Sequence, residues 1–104
     1  MNSFKIYNNL AESKTNYPYL VDVQNTIFSE FGTRIVIPLA LQSKFGKRQI
    51  KTLNPILTID NIDYIVLTQQ ITAIDSKYLG KEIMDIEECR TEVLAAIDFL
   101  ITGF

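Results

Sequence analysis

Through the first two-thirds of the chain, apolar and polar residues alternate in short runs bounded by turn residues, a period of two that predicts strands. Phe4-Lys5-Ile6-Tyr7 predicts a first strand, followed by a polar, turn-rich loop from Asn8 to Asn16. Tyr17 to Gln24 resumes the alternation. Pro18 suits a strand start, and Leu20 and Asp22 fall on the face opposite Val21 and Val23. A loop around Ser29 to Gly32 then leads to Arg34-Ile35-Val36-Ile37-Pro38-Leu39. This run is β-branched and mostly apolar, which predicts a strand covered on both faces for part of its length, with Pro38 consigning its far end to an edge or a bulge. Beyond the polar, basic segment Gln42 to Asn54, the apolar arms Pro55 to Asp60 and Ile62 to Thr68 flank Asp60-Asn61 as a β-hairpin would.

The period changes near the end of the chain. Asp85 stands three residues ahead of Glu88, as an N-cap carboxylate would, and acids in the first turn suit the positive end of a helix dipole. Cys89, Val93, Ala96, Ile97 and Leu100 recur at helical spacing and form the stripe expected to pack on the sheet. Leu94, Asp98, Phe99 and Ile101 fall on other sides, so from Val93 onward the helix is apolar nearly all round. One sheet cannot bury every side of a terminal helix. The surplus marks a protein–protein contact, with Phe99 and Phe104 of the aromatic type that anchors interfaces; ordinary core or homodimer burial produces the same pattern.

Composition narrows the function classes. A chain of 104 residues with 47% hydrophobic and 21% charged residues has the makeup of a packed protein, and with no internal repeat or linker-like run residues 1–104 read as a single domain. A formal charge of -2 argues against a large phosphate-tracking surface, so DNA is expected only indirectly, through a partner. No signal peptide is visible at Met1 to Ile6. The nearly apolar stretch Val93 to Ile101 is interrupted by Asp98 and falls short of the ~20 residues of a membrane span, so the expected address is the cytoplasm.

Chemistry is sparsely supplied. The chain has no histidine, no cysteine pair, no glycine-rich phosphate loop and no metal-ligand spacing, which points to a non-enzyme without cofactor or metal. Asp60 and Asp63 read as hairpin turn chemistry, and Glu87, Glu88 and Glu92 as a solvated helix face. Cys89, the single cysteine, sits on the core stripe and reads as buried and inert. Lys44, Lys47, Arg48 and Lys51 concentrate positive charge within one short segment, either as a solvated loop or as a surface for an acidic peptide.

Taken in order, these runs resemble the CcdB family of gyrase poisons from toxin–antitoxin modules. The resemblance is carried by Phe4-Lys5-Ile6-Tyr7, Val21-Asp22-Val23-Gln24, Arg34 to Leu39, Pro55 to Asp60, Thr68-Gln69-Gln70-Ile71-Thr72 and the ending Ala95 to Phe104. It implies a mostly β fold, an antiparallel sheet related to a partly open SH3-like barrel with a C-terminal α-helix, in a two-fold homodimer. It further implies a toxin that binds the DNA gyrase A subunit and traps the enzyme on cleaved DNA. Carried over by position, the gyrase contacts are Ile27, Phe28, Asp98, Ile101, Thr102, Gly103 and Phe104. The best-known member has an amide at Asp98, Ile at Phe28 and Trp at Thr102. A CcdA-like antitoxin is the second implied partner, with Lys44, Lys47, Arg48 and Lys51 as the receiving surface for its acidic tail and the Asn8 to Asn16 loop as a second candidate. Two rival readings follow from the same fold: a degenerate toxin retaining only antitoxin binding and co-repression, and an RNA-cleaving toxin using Arg34 and Thr33.

Overall fold

The computed structural model describes residues 4–24 and 32–103. Among these residues seven antiparallel strands are joined in one sheet: β1 (Lys5–Asn9), β2 (Tyr19–Asp22), β3 (Thr33–Leu41), β4 (Ile56–Ile59), β5 (Ile62–Val66), β6 (Thr72–Asp75) and β7 (Leu79–Asp85). The sheet runs β4-β5-β3-β2-β1-β7, with β6 also paired to β3, and curls into a half-barrel. A short helical turn, α1 (Gln42–Phe45), follows β3, and the helix α2 (Arg90–Thr102) ends the described chain. The expected mostly β fold with a C-terminal helix is what the structure shows.

The long strand β3 organises the sheet. On one side Val36 to Leu39 pair with β2; on the other, Thr33 to Val36 pair with β6 and Leu39 to Leu41 with β5. Pro38 sits where the second partner changes. Its carbonyl accepts from the Leu67 N–H, so its ring nitrogen points the same way, into the gap between β6 and β5, where the Leu67 carbonyl already accepts from the Gln70 N–H. Pro38 therefore neither ends the strand nor lies at an edge, contrary to the expectation from its residue type. Both faces of β3 are covered, as the β-branched run predicted. Ile37 and Leu39 join Ile6, Val21, Val66 and Val93 in the main core, whereas Ala40 joins Ile65 and Leu67 in a smaller cluster flanked by Tyr17, Phe45 and Ile56.

The hairpin is confirmed: Ile59 pairs with Ile62, and both turn residues have positive φ, 52° at Asp60 and 66° at Asn61, the left-handed pair that a two-residue turn between right-twisted strands requires. Three boundaries move. β1 reaches Asn9, whose buried side-chain amide donates to Ser13 Oγ and the Tyr17 carbonyl and whose Oδ1 accepts from the Ala11 N–H, so part of the expected loop is strand and Glu12–Thr15 is a 3-10 turn. β2 is shorter than Tyr17 to Gln24, and Leu20, Val21 and Asp22 are all buried, so both of the opposed faces expected for this strand are covered. The strands β6 and β7 lie outside the elements read from the pattern.

The helix also starts later than expected. Asp85 ends β7, paired with Lys5, and caps nothing; Ile86 turns into a 3-10 segment, Glu87–Cys89, before α2 begins at Arg90. Glu87 and Glu88 thus lie ahead of the α-helix and only Glu92 sits in its first turn. Of the proposed stripe, Val93 and Ala96 are fully buried and Cys89 and Ile97 partly so, but Leu100 is exposed.

Candidate functional site

The free end of α2 presents the residues carried over for a protein contact. Asp98, Ile101 and Thr102 follow i, i+3, i+4 spacing and share one face, and all three are exposed, Ile101 by 76%. Thr102 Oγ1 donates to the Asp98 carbonyl at 2.7 Å, so its hydroxyl is spent on the helix itself. Gly103 closes the helix at φ 79°, its N–H donating to the Phe99 carbonyl. A Cβ there would meet no atom within 4 Å; the left-handed backbone, not crowding, calls for glycine. Leu100, 37% exposed, adds a second apolar side chain that the stripe had consigned to the core, whereas Phe99 is half-buried. The structure therefore brings Asp98, Ile101, Thr102 and Gly103 together at one end. Ile27, Phe28 and Phe104 lie outside the described residues, as does most of the Ser29 to Gly32 loop.

The basic segment is not the featureless loop its composition suggested. Lys44 belongs to α1, Lys47 and Arg48 to a 3-10 turn, and all four cations, Lys51 included, are exposed; none takes part in an ion pair among the described residues. Arg48 has local work: its guanidinium stands 4.7 Å over the Phe45 ring and donates to the Lys44 and Phe45 carbonyls. Lys44, Lys47 and Lys51 stand exposed without a cation–π contact or ion pair among the described residues.

This surface hangs on a residue that the residue-type pattern had placed in a polar segment. Asn54 is completely buried. Its amide donates to the Val66 carbonyl at 3.0 Å and to Gln69 Oε1 at 2.7 Å, and its Oδ1 accepts from the Ile50 N–H. It thereby ties the basic segment to β5 and to the 3-10 turn Thr68–Gln70, against which α2 packs. Asn54→Ala would leave the buried Val66 carbonyl unmatched and remove the part-buried bonds to Ile50 and Gln69, and a loss of about 1–3 kcal/mol is expected. Urea unfolding monitored by circular dichroism checks this; a midpoint equal to that of the parent protein would contradict it.

The remaining candidates have structural roles. Arg34 is buried and pairs with Asp22 through Nη2 at 2.8 Å and Nε at 2.9 Å, with a further bond to the Gln24 carbonyl, while Thr33 is exposed at the start of β3. Asp63 accepts a 2.6 Å bond from the Thr58 hydroxyl across the hairpin, and Asp60 forms its turn. Cys89 is half-buried rather than buried. Its thiol is pushed above the usual range by burial first and then by the nearby Glu92 and Glu88 carboxylates, which disfavours the reactive thiolate. Among the described residues, no three His, Cys, Asp or Glu side chains are grouped to hold a metal, and no helix is long and apolar enough to cross a membrane.

A comparison with protein families accounts for nearly the whole chain: the model described as CcdB protein matches residues 3–103.

Proposed function

The chain belongs to the CcdB family of toxins, and from that premise we propose that it is the toxin of a type II toxin–antitoxin system that binds the DNA gyrase A subunit and traps the gyrase–DNA cleavage complex. The observation that carries this reading is the exposed end of α2, where Ile101 is 76% exposed beside Leu100 and the glycine-capped terminus. An apolar side chain held out by a rigid helix pays little ordering entropy on docking, which is how a small protein wedges into a large one without performing a reaction. In the proposed assembly two copies form a homodimer that presents both helix ends together, and the contact comprises Asp98, Ile101, Thr102 and Gly103, with Ile27, Phe28 and Phe104 completing it by position. The protein acts as a ligand and not as an enzyme. Burial of Arg34 against Asp22 supports this over RNA cleavage, because a guanidinium locked into a buried ion pair is withdrawn from a substrate phosphate. Binding of purified gyrase A subunit to the immobilised protein tests the proposal: saturable binding is expected, and none at micromolar concentrations would reject it.

The antitoxin is proposed to lay an acidic tail over Lys44, Lys47 and Lys51. Lys47→Glu together with Lys51→Glu is expected to weaken antitoxin binding at least tenfold in low salt and to flatten its salt dependence, while growth inhibition persists. Calorimetric titration at two ionic strengths measures it, and an unchanged affinity would remove this surface from the account. Arg48 is left intact in that variant because it supports α1.

A further inference from the structure

The half-barrel has an open seam. Its outer strands β4 and β7 each pair with one neighbour among the described residues, β5 and β1 respectively, and a cleft of about 390 Å³ is lined by both: Leu57 and Thr58 of β4, Met84 and Asp85 of β7, and the turn that follows.

Register decides which backbone groups face this gap. Ile59 and Ile62 flank the two-residue turn and form a hydrogen-bonded pair, so the next pair, Thr58 and Asp63, is the non-hydrogen-bonded kind. The N–H and C=O of Thr58 therefore point away from β5. On β7 the Ile86 N–H donates to the Phe4 carbonyl, which turns the N–H and C=O of Asp85, one residue earlier, outward. Further up, β7 is blunted as an edge: its register with β1 shifts on both sides of Tyr7, and Lys81 and Glu82 are exposed there. Met84 and Asp85 lie past these shifts, in regular register with Ile6 and Lys5.

Side chains set the chemistry of the occupant. Leu57 and Ile86 are each 3% exposed and form an apolar wall, continued by the half-open Met84. Asp85, Glu87 and Glu88 are exposed around it, and among the described residues no Lys or Arg lines the cleft. We propose that this seam binds an extended, lysine- or arginine-bearing segment of a partner protein as an added strand, through the outward backbone groups of Thr58 and Asp85. Its apolar side chains lie on Leu57, Met84 and Ile86, and its cations meet Asp85, Glu87 and Glu88. An acidic tail is repelled here, so the seam and the Lys44–Lys51 surface take different partners.

The test titrates the full chain with a capped seven-residue peptide alternating lysine and valine, and with its glutamate–valine counterpart. Cys89, the single cysteine, lines the same cleft, so its alkylation rate reports occupancy alongside amide exchange at Thr58 and Asp85. The basic peptide is expected to slow both and the acidic one neither. Thr58→Pro removes an outward N–H from the ladder together with the exposed hydroxyl bond to Asp63, and Glu87→Gln with Glu88→Gln changes exposed side chains alone; each is expected to weaken the basic peptide at least tenfold. No protection by the basic peptide, equal protection by the acidic one, or unaltered binding by both variants would overturn the proposal. So would protection that grows with protein concentration in the absence of peptide, which would give the seam to a second copy of the chain.

Discussion

Ile101→Lys is expected to abolish growth inhibition while leaving the folded chain intact. Ile101 is 76% exposed and belongs to neither buried cluster, so the substitution should change stability by no more than about 0.5 kcal/mol. At a contact the same change removes an apolar anchor and strands an ammonium group against a desolvated surface, at a cost of about 2–4 kcal/mol, or roughly thirtyfold to a thousandfold in affinity. The separation of these two effects gives the prediction its force. Thermal melting should coincide with that of the parent protein, and cells expressing the variant at the same level should grow. Inhibition undiminished at matched expression would show that the end of α2 is not the contact.

Asp22→Ala is expected to be the most damaging single substitution for the fold. It leaves the Arg34 guanidinium buried, its side chain only 10% exposed, without the carboxylate that accepts from Nη2 and Nε. Breaking one partner of a buried pair costs about 3–5 kcal/mol, a large share of the ~5–15 kcal/mol typical of a whole domain. The Gln24 N–H, which donates to Asp22 Oδ1, loses its acceptor as well. Replacing both partners with apolar residues, Asp22→Leu with Arg34→Met, should be milder because no charge is stranded. Denaturant titration of the two variants checks the order; a single substitution milder than the double would contradict it.

The hairpin and the coverage of β3 were legible in the sequence because each rests on chemistry local to the chain. Asp60-Asn61 tolerates the left-handed backbone that the turn needs, and an unbroken β-branched run has apolar side chains for both faces. The edge strand β7 was not legible. Lys81 and Glu82 blunt it as an edge and, with Asp85, erase its alternation, and Asp85 imitates a helix cap although it lies in register with Lys5 of β1. At Gly80 the reason for the residue lies far away in sequence: a Cβ would stand 3.0 Å from Leu10 and 3.1 Å from Asn8.

Long-range contacts likewise hid the polar supports. Asn54 reads as a loop residue until its partners, Val66 and Gln69, are brought over it, and Arg34 looks available for chemistry until Asp22 is placed against it. Along α2 the periodicity turned Val93 and Ala96 inward as found but placed Leu100 in the core as well, where it is 37% exposed, because spacing gives the direction of a side chain and not how far it is covered. The positions carried over by resemblance, Asp98 and Ile101 to Gly103, converge on one exposed end.

The most direct test of the central claim is cleavage-complex formation. The purified protein is incubated with gyrase from its own host, supercoiled plasmid and ATP, and the DNA is then released with detergent and protease. A gyrase poison converts plasmid to linear DNA in proportion to its dose, and Ile101→Lys should reduce that product to background. Plasmid that stays supercoiled or closed-circular with the unaltered protein, at concentrations well above that of gyrase, would contradict the account.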